Sequence, residues 1–147
     1  MKISRRGLYA LRALLQLAEL GPGEVAKISA VSAGQAIPQK FLESILVTLK
    51  NARLVESVRG SQGGYRLKRG AAEITLGEVV RLMDGPLAPL GDAAELRRLA
   101  EGDPTHPGLF RVLLDVRDAA AEILDGTTLA ELVVRNRRLL RKRGDRG

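Results

Sequence analysis

The segment from Ile37 to Leu67 constrains this chain more than any other. Pro38 suits the first position of a helix, where its missing N–H costs nothing. Phe41, Leu42, Ile45, Leu46 and Leu49 follow at helical spacing, which predicts a helix running to about Ala52 with those side chains inward. Gln39, Lys40, Glu43 and Ser44 are left facing outward near its start. Leu54–Val58 and Tyr65–Lys68 then read as two strands, joined by the flexible turn Arg59-Gly60-Ser61-Gln62-Gly63-Gly64. A proline-entered helix followed by a hairpin with a glycine-rich, basic tip is the outline of a helix-turn-helix with a wing. That arrangement sets one helix and one loop against a DNA duplex.

The remaining elements follow from caps and periodicity. Ser4 can cap a first helix with Leu8, Leu11, Leu14, Leu15 and Ala18 on one stripe, ended by Gly21-Pro22-Gly23. Val25–Ala33 reads as a short second helix with Ile28 and Val31 inward, and Gly34–Ile37 as the turn. Thr75 and Glu78 form a capping-box pattern that starts a fourth helix, extending to about Met83. Asp84–Pro107 is rich in glycine and proline and reads as a loop, with a short helix around Ala93–Ala100. Leu109, Leu113, Val116, Ala120 and Ile123 repeat at spacings of four and three, a coiled-coil-like seam on a helix ending near Asp125. Thr128 and Glu131 cap one more helix, which frays into an arginine-rich end.

The charge is sorted along the chain. Residues 1–70 carry twelve Lys/Arg against four Asp/Glu, residues 71–134 five against twelve, and residues 135–147 seven against one. The resulting blocks of +8, −7 and +6 add to the net +7 of the whole chain. Basic charge concentrated on the winged module, with acid kept elsewhere, favours a polyanion partner over a merely solubilising surface. No segment reaches the roughly 20 apolar residues of a membrane span, and a cytoplasmic, nucleoid-associated protein with no membrane partner is expected. The absence of cysteine excludes disulfides, thiolate metal sites and cysteine nucleophiles.

Within the winged module, Gln39 suits bidentate reading of adenine, and Lys40 suits guanine or a phosphate. Glu43 is repelled by a phosphate backbone unless it accepts a hydrogen bond, most simply from cytosine N4. It therefore reads either as a filter or as an ordinary surface charge. The thin wing tip lets Arg59 enter a minor groove, and its three glycines either admit phosphates close to the backbone or merely serve turn geometry. The wide apolar stripe of the helix from Leu109 fits a dimer seam of Leu109, Val112, Leu113, Val116, Ala120 and Ile123, or else core. No catalytic constellation is present, so no enzyme is expected. The spacing of Asp92, Asp103 and His106 fits no strong metal pattern.

These segments resemble the IscR/NsrR/CymR family of bacterial winged-helix regulators (the Rrf-two family). MKISRRGLYALRALLQLA is similar to its first helix, IPQKFLESILVTLKNARLVESVRGSQGGYRL to its recognition helix and wing, ITLGEVVRLMDGPL to its fourth helix, and TTLAELV to the piece after its dimer helix. The resemblance implies a homodimeric transcription factor, usually a repressor, on double-stranded DNA with a dyad operator. It implies that Gln39, Lys40, Phe41, Glu43 and Arg59 face DNA, with Ser4 and the wing residues Gly60, Ser61, Gln62, Gly63 and Gly64 against the backbone. Many members hold an iron–sulfur cluster through three cysteines in the loop matching Leu90–His106. Here Asp103 replaces a cysteine, and His106 sits where a histidine ligand can occur. Carboxylates and one imidazole do not replace bridging thiolates, so the chain resembles the cluster-free branch, with no cofactor and with a protein or small-molecule effector left open.

The expected architecture is therefore mainly α with a small β-hairpin. It comprises a winged helix-turn-helix domain over 1–70, a linking helix and effector-type loop over 71–107, a dimerisation helix with a short following helix over 108–134, and a flexible basic tail over 135–147. Two rival readings are a protein-interaction adaptor and an architectural DNA-binding protein with little sequence preference.

Overall fold

The computed structural model describes residues 2–87 and 92–146. Its elements are α1 (Arg5–Ala18), α2 (Ile28–Gln35), α3 (Gln39–Asn51), β1 (Val55–Val58), β2 (Gly64–Leu67), α4 (Leu76–Asp84), α5 (Ala93–Gly102), α6 (Pro107–Asp125) and α7 (Leu129–Gly144). The mainly helical fold with one antiparallel hairpin is as the sequence predicts. The part of the expected loop at 88–91, including Leu90, lies outside the described residues. No helix among those described is long and apolar enough to cross a membrane.

The first helix, α1, is the hub, packed by α2, α3, α4, α7 and β2. Ser4 caps it, its Oγ accepting from the Gly7 N–H at 2.9 Å. The buried face is Gly7, Ala10, Leu11, Ala13, Leu14 and Leu17, so the stripe is rotated from the expected one. Leu8 is exposed, and Leu15 and Ala18 are half-buried. Small residues win the inward face because several elements must approach one helix closely.

The second helix begins three residues later than expected. Ala26 instead forms an antiparallel bridge with Tyr65, with N···O distances of 2.9 and 2.8 Å, which draws this segment onto the hairpin. Gly64 permits the approach, since a Cβ there would lie 2.5 Å from the Ala26 carbonyl oxygen. Ala36 closes α2 in the left-handed conformation, and the buried Ile37 leads into α3.

One hydrophobic core runs from α1 through α3 and the hairpin to Ile74, Val79 and Val80 around α4, and on to Ala121 and Leu129. It does not stop at residue 70. Helices α4 and α7 start side by side. Thr75 and Thr128 form an antiparallel bridge, and each caps its own helix. At Thr128 the reciprocal capping box is complete, whereas at Thr75 the Glu78 carboxylate is bonded to Arg69 instead. Helices α5 and α6 pack together through Leu96 and Leu114, and α6 returns to the core at Ala121. The expected tail is helical as far as Gly144.

Candidate nucleic-acid interface

Helix α3 is held against α1 by a guanidinium clamp. Arg6 donates from Nη1 to Ser44 Oγ at 3.0 Å, and from Nη2 to Thr48 Oγ1 at 2.8 Å and the Ser44 carbonyl at 3.5 Å. Tyr9 meets Phe41 edge-on, with ring centroids 5.5 Å apart. Phe41 is not core, as its spacing suggested. It is 36% exposed and, with Arg5, Tyr9, Pro38 and Lys40, lines a shallow depression between α1 and the start of α3. Phe41 lies one helical turn before the buried Ile45, yet its ring stays partly open with Tyr9 of α1 set edge-on to it.

The start of α3 is chemically open. Pro38 is its N-cap and makes no side-chain cap bond, whereas Ser4, Thr75, Asp92 and Thr128 cap α1, α4, α5 and α7. The first-turn N–H groups of α3 therefore lack a side-chain acceptor, with Lys40 exposed beside them. Gln39, Lys40 and Glu43 are all exposed. Among the described residues, their side chains make no hydrogen bond or ion pair.

The wing is built from the register Val55↔Leu67 to Val58↔Gly64, and Glu56 and Arg66 pair across it at 2.7 Å. Lys50 Nζ reaches Ser57 Oγ at 3.0 Å and ties α3 to β1. Arg59, Gly60, Ser61 and Gln62 are exposed at the tip. Gly63 is buried, and a Cβ on it would meet the Val58 carbonyl oxygen at 2.0 Å. Backbone crowding thus accounts for Gly63 and Gly64, and turn geometry for Gly60 with φ +110°. Of the alternatives read from the sequence, turn service explains these glycines.

Ser4 has both of its donors engaged. Its N–H gives to Asp84 Oδ2 at 3.0 Å and its hydroxyl to Asp84 Oδ1. It therefore braces α1 against the end of α4. Arg5, Arg6, Tyr9 and Lys50 were not singled out from the sequence. A signal was available, because two arginines in the first turn of α1 oppose the helix dipole and need another reason to be there.

On the expected dimer helix, Leu109, Val112, Val116 and Ile123 are 55, 59, 50 and 68% exposed. Leu113 and Ala120 are half-buried, and Leu114 turns inward. The open residues 109, 112, 116 and 123 all belong to the seam read from the sequence, with Leu113 and Ala120 at its half-buried edge.

Asp92, Asp103 and His106 are not brought together, because α5 separates Asp92 from the other two. Asp92 caps that helix at Glu95 N, 3.2 Å. Asp103 Oδ1 accepts from Thr105 N, Thr105 Oγ1 and His106 N, at 3.1, 3.1 and 2.6 Å. Those donors hold its carboxyl below the usual range, with the His106 N–H the largest influence. No group of three or more metal-ligating residues occurs among those described.

Two packed helices, α2 and α3, followed at once by the hairpin β1–β2, make the architecture of the winged helix-turn-helix class of DNA-binding proteins. The Rrf2 family, described as iron-dependent transcriptional regulators, matches residues 3–135. The chain is 40% identical over 136 residues to Rv1287 of Mycobacterium tuberculosis H37Rv, covering 90% of this chain and 81% of that protein. It is 33% identical over 132 residues to the transcriptional regulator CymR of Bacillus subtilis, covering 90% and 89%. The solved structure of B. subtilis CymR, titled the global cysteine regulator, superposes with a TM-score of 0.78 at 30% identity, covering 91% of this chain and 97% of that one. The solved structure of T. potens IscR gives a TM-score of 0.71 at 27% identity, covering 92% of this chain and 88% of that one. The chain belongs to the Rrf2 family of DNA-binding transcriptional regulators, which are not enzymes. Its own donors do not fit the iron of the family description. It has no thiolate, and the oxygen of Asp103 nearest His106 is saturated with N–H and O–H donors.

Proposed function

We propose that this protein is a homodimeric, sequence-specific regulator that represses transcription by binding a dyad operator without an iron–sulfur cluster. The observation behind this reading is the reading head itself. Gln39, Lys40, Glu43 and Arg59 are exposed, and their polar groups are uncommitted, while Arg6 and Lys50 hold the elements that bear them. Gln39 reads adenine, Lys40 guanine or phosphate, and Glu43 selects cytosine by accepting from N4. Phe41 offers an apolar ring edge to a thymine methyl, and Arg59 enters the minor groove from the wing, with Ser61 and Gln62 beside it. Ser4 acts indirectly, by fixing the start of α1 through Asp84.

The open seam of α6 supports the dimer. A two-fold axis along it sets two copies of α3 about one helical turn, ~34 Å, apart, which demands a near-palindromic site. Occupying such a site blocks transcription by exclusion. An effector of protein or small-molecule class would act through the segment between α4 and α6.

Selection of bound sequences from random duplexes tests the reading. A two-fold motif bound at least ~10³-fold tighter than random duplex is expected. Recovery of no preferred sequence, with only a steep salt dependence, would instead assign the chain to architectural binding.

A further inference from the structure

The second half of α7 is charged unlike any other helix surface in the molecule. On α5 and α6, three of the four arginines are neutralised within their own helix, as Arg98–Glu95, Arg111–Asp115 and Arg117–Asp118. After Glu131, α7 carries Arg135, Arg137, Arg138, Arg141, Lys142 and Arg143, followed by Arg146, and the sole acid among them is Asp145. None of these seven cations forms an ion pair among the described residues. Like charges three and four apart destabilise a helix. The helix dipole offsets that for the last-turn residues Arg141, Lys142 and Arg143, but not for Arg135, Arg137 and Arg138.

The arm is also held in place. Leu129 and Val133 are buried, and backbone bonds of 2.9 and 3.1 Å join Leu129 N to the Ile74 carbonyl and Ala130 N to the Ala71 carbonyl. At 100° per residue, Arg135, Arg138 and Lys142 fall within about 60° of one another, across the helix from Leu129 and Val133, and Arg146 follows in the turn just past the helix end. From Arg135 to Lys142 the ridge rises about 10 Å, a length over which a duplex presents roughly six charges.

We propose that this ridge is a second DNA-binding surface, which grips phosphates of duplex flanking the operator without reading sequence. The proposal rests on the DNA-binding reading above and adds a surface that the family match does not assign. Residues matched to the family end at 135, so six of the seven cations lie beyond it. An anionic membrane is the poorer occupant. The exposed apolar residues Val134, Leu139 and Leu140 fall on three different sides of the helix, whereas a membrane-lying helix needs one apolar face.

The test uses the full chain carrying Arg135→Gln, Arg138→Gln, Lys142→Gln and Arg146→Gln, with the four-lysine version of the same positions as a charge-conserving control. Binding to random duplex and to the selected dyad, short and with flanks, is titrated against salt. The glutamine variant should lower the slope of log K against log salt by about 3 to 4 for each protomer bound, on random and flanked duplex. The short dyad should change less, the preference for the dyad over random duplex should stay, and the lysine version should behave as the unaltered chain. An unchanged slope, with circular dichroism showing α7 intact, overturns the proposal. So does an unchanged slope accompanied by lost binding to phosphatidylglycerol vesicles, which would assign the ridge to lipid. If the unaltered chain shows no preferred sequence at all, the operator reading fails, while the slope still decides the ridge.

Discussion

Arg6 enters the first turn of α1 against the dipole, and in return its guanidinium bridges two hydroxyls one helical turn apart on α3. A planar fork can reach Ser44 and Thr48 together, and an ammonium cannot. Arg6→Lys should therefore leave affinity for random duplex nearly unchanged while lowering affinity for the dyad about tenfold, since a bond to a charged donor contributes on the order of 1.5–3 kcal/mol. Fluorescence anisotropy on both duplexes reads this, and an equal loss on the two would refute the positioning role. Arg59 differs because among the described residues its side chain has no hydrogen-bond or ion-pair partner to lose. Arg59→Ala should cost about 1–3 kcal/mol of operator affinity with no fall in melting temperature. Unchanged binding at moderate salt would remove the wing from the reading head.

At the scale of elements, the helices are held by their ends. The reciprocal cap at Thr128 and Glu131 starts α7 where it is stitched to the segment before α4. Thr128→Ala should cost about 1 kcal/mol in urea unfolding. Contact between α4 and α6 is fastened by Arg81, whose guanidinium donates to both oxygens of Asp125 at 2.5 and 2.9 Å. Those bonds hold the Asp125 carboxyl below its usual range, aided by the charges of Arg81 and Arg117 and opposed by burial. The folded value lies below the unfolded one. Stability from this pair is thus present above the unfolded value and lost as pH falls through the folded one. Asp125→Asn should accordingly lower stability at neutral pH and flatten its decline below about pH 4. Unfolding curves at pH 7 and pH 3 check the sign. Both side chains are more than a third exposed, so solvent screening keeps the effect small.

For the whole molecule, the exposed seam on α6 is the surface on which the proposed dimer rests. Leu109, Val112, Val116 and Ile123 line a helix about 28 Å long whose opposite side is already packed on α5 and the core. A charge placed in that line must be desolvated when two copies meet, but it costs a single copy little. Val116→Glu should yield a folded monomer in sedimentation analysis and lower affinity for the full dyad at least a hundredfold. Affinity for an isolated half-site should stay near that of the unaltered monomer. A dimer of unchanged stability would relocate the interface.

What the sequence determined by itself was local. Ser4, Thr75 and Thr128 marked three helix starts through side chains that bond the backbone three residues on, and the glycine-rich tip placed the hairpin. Resemblance to a family was legible for the same reason, since VRGSQGGYRL is a turn that few sequences can make. Tertiary structure decided matters of phase and partnership. Val112, Leu113 and Leu114 are consecutive apolar residues, so periodicity could not choose which edge meets α5 and which stays open. Ala26 left its predicted helix because a glycine distant in sequence let two backbones meet. The arms of Arg6 and the open edge of Phe41 depend on where α1 lies across α3, a distance in space that no spacing along the chain encodes.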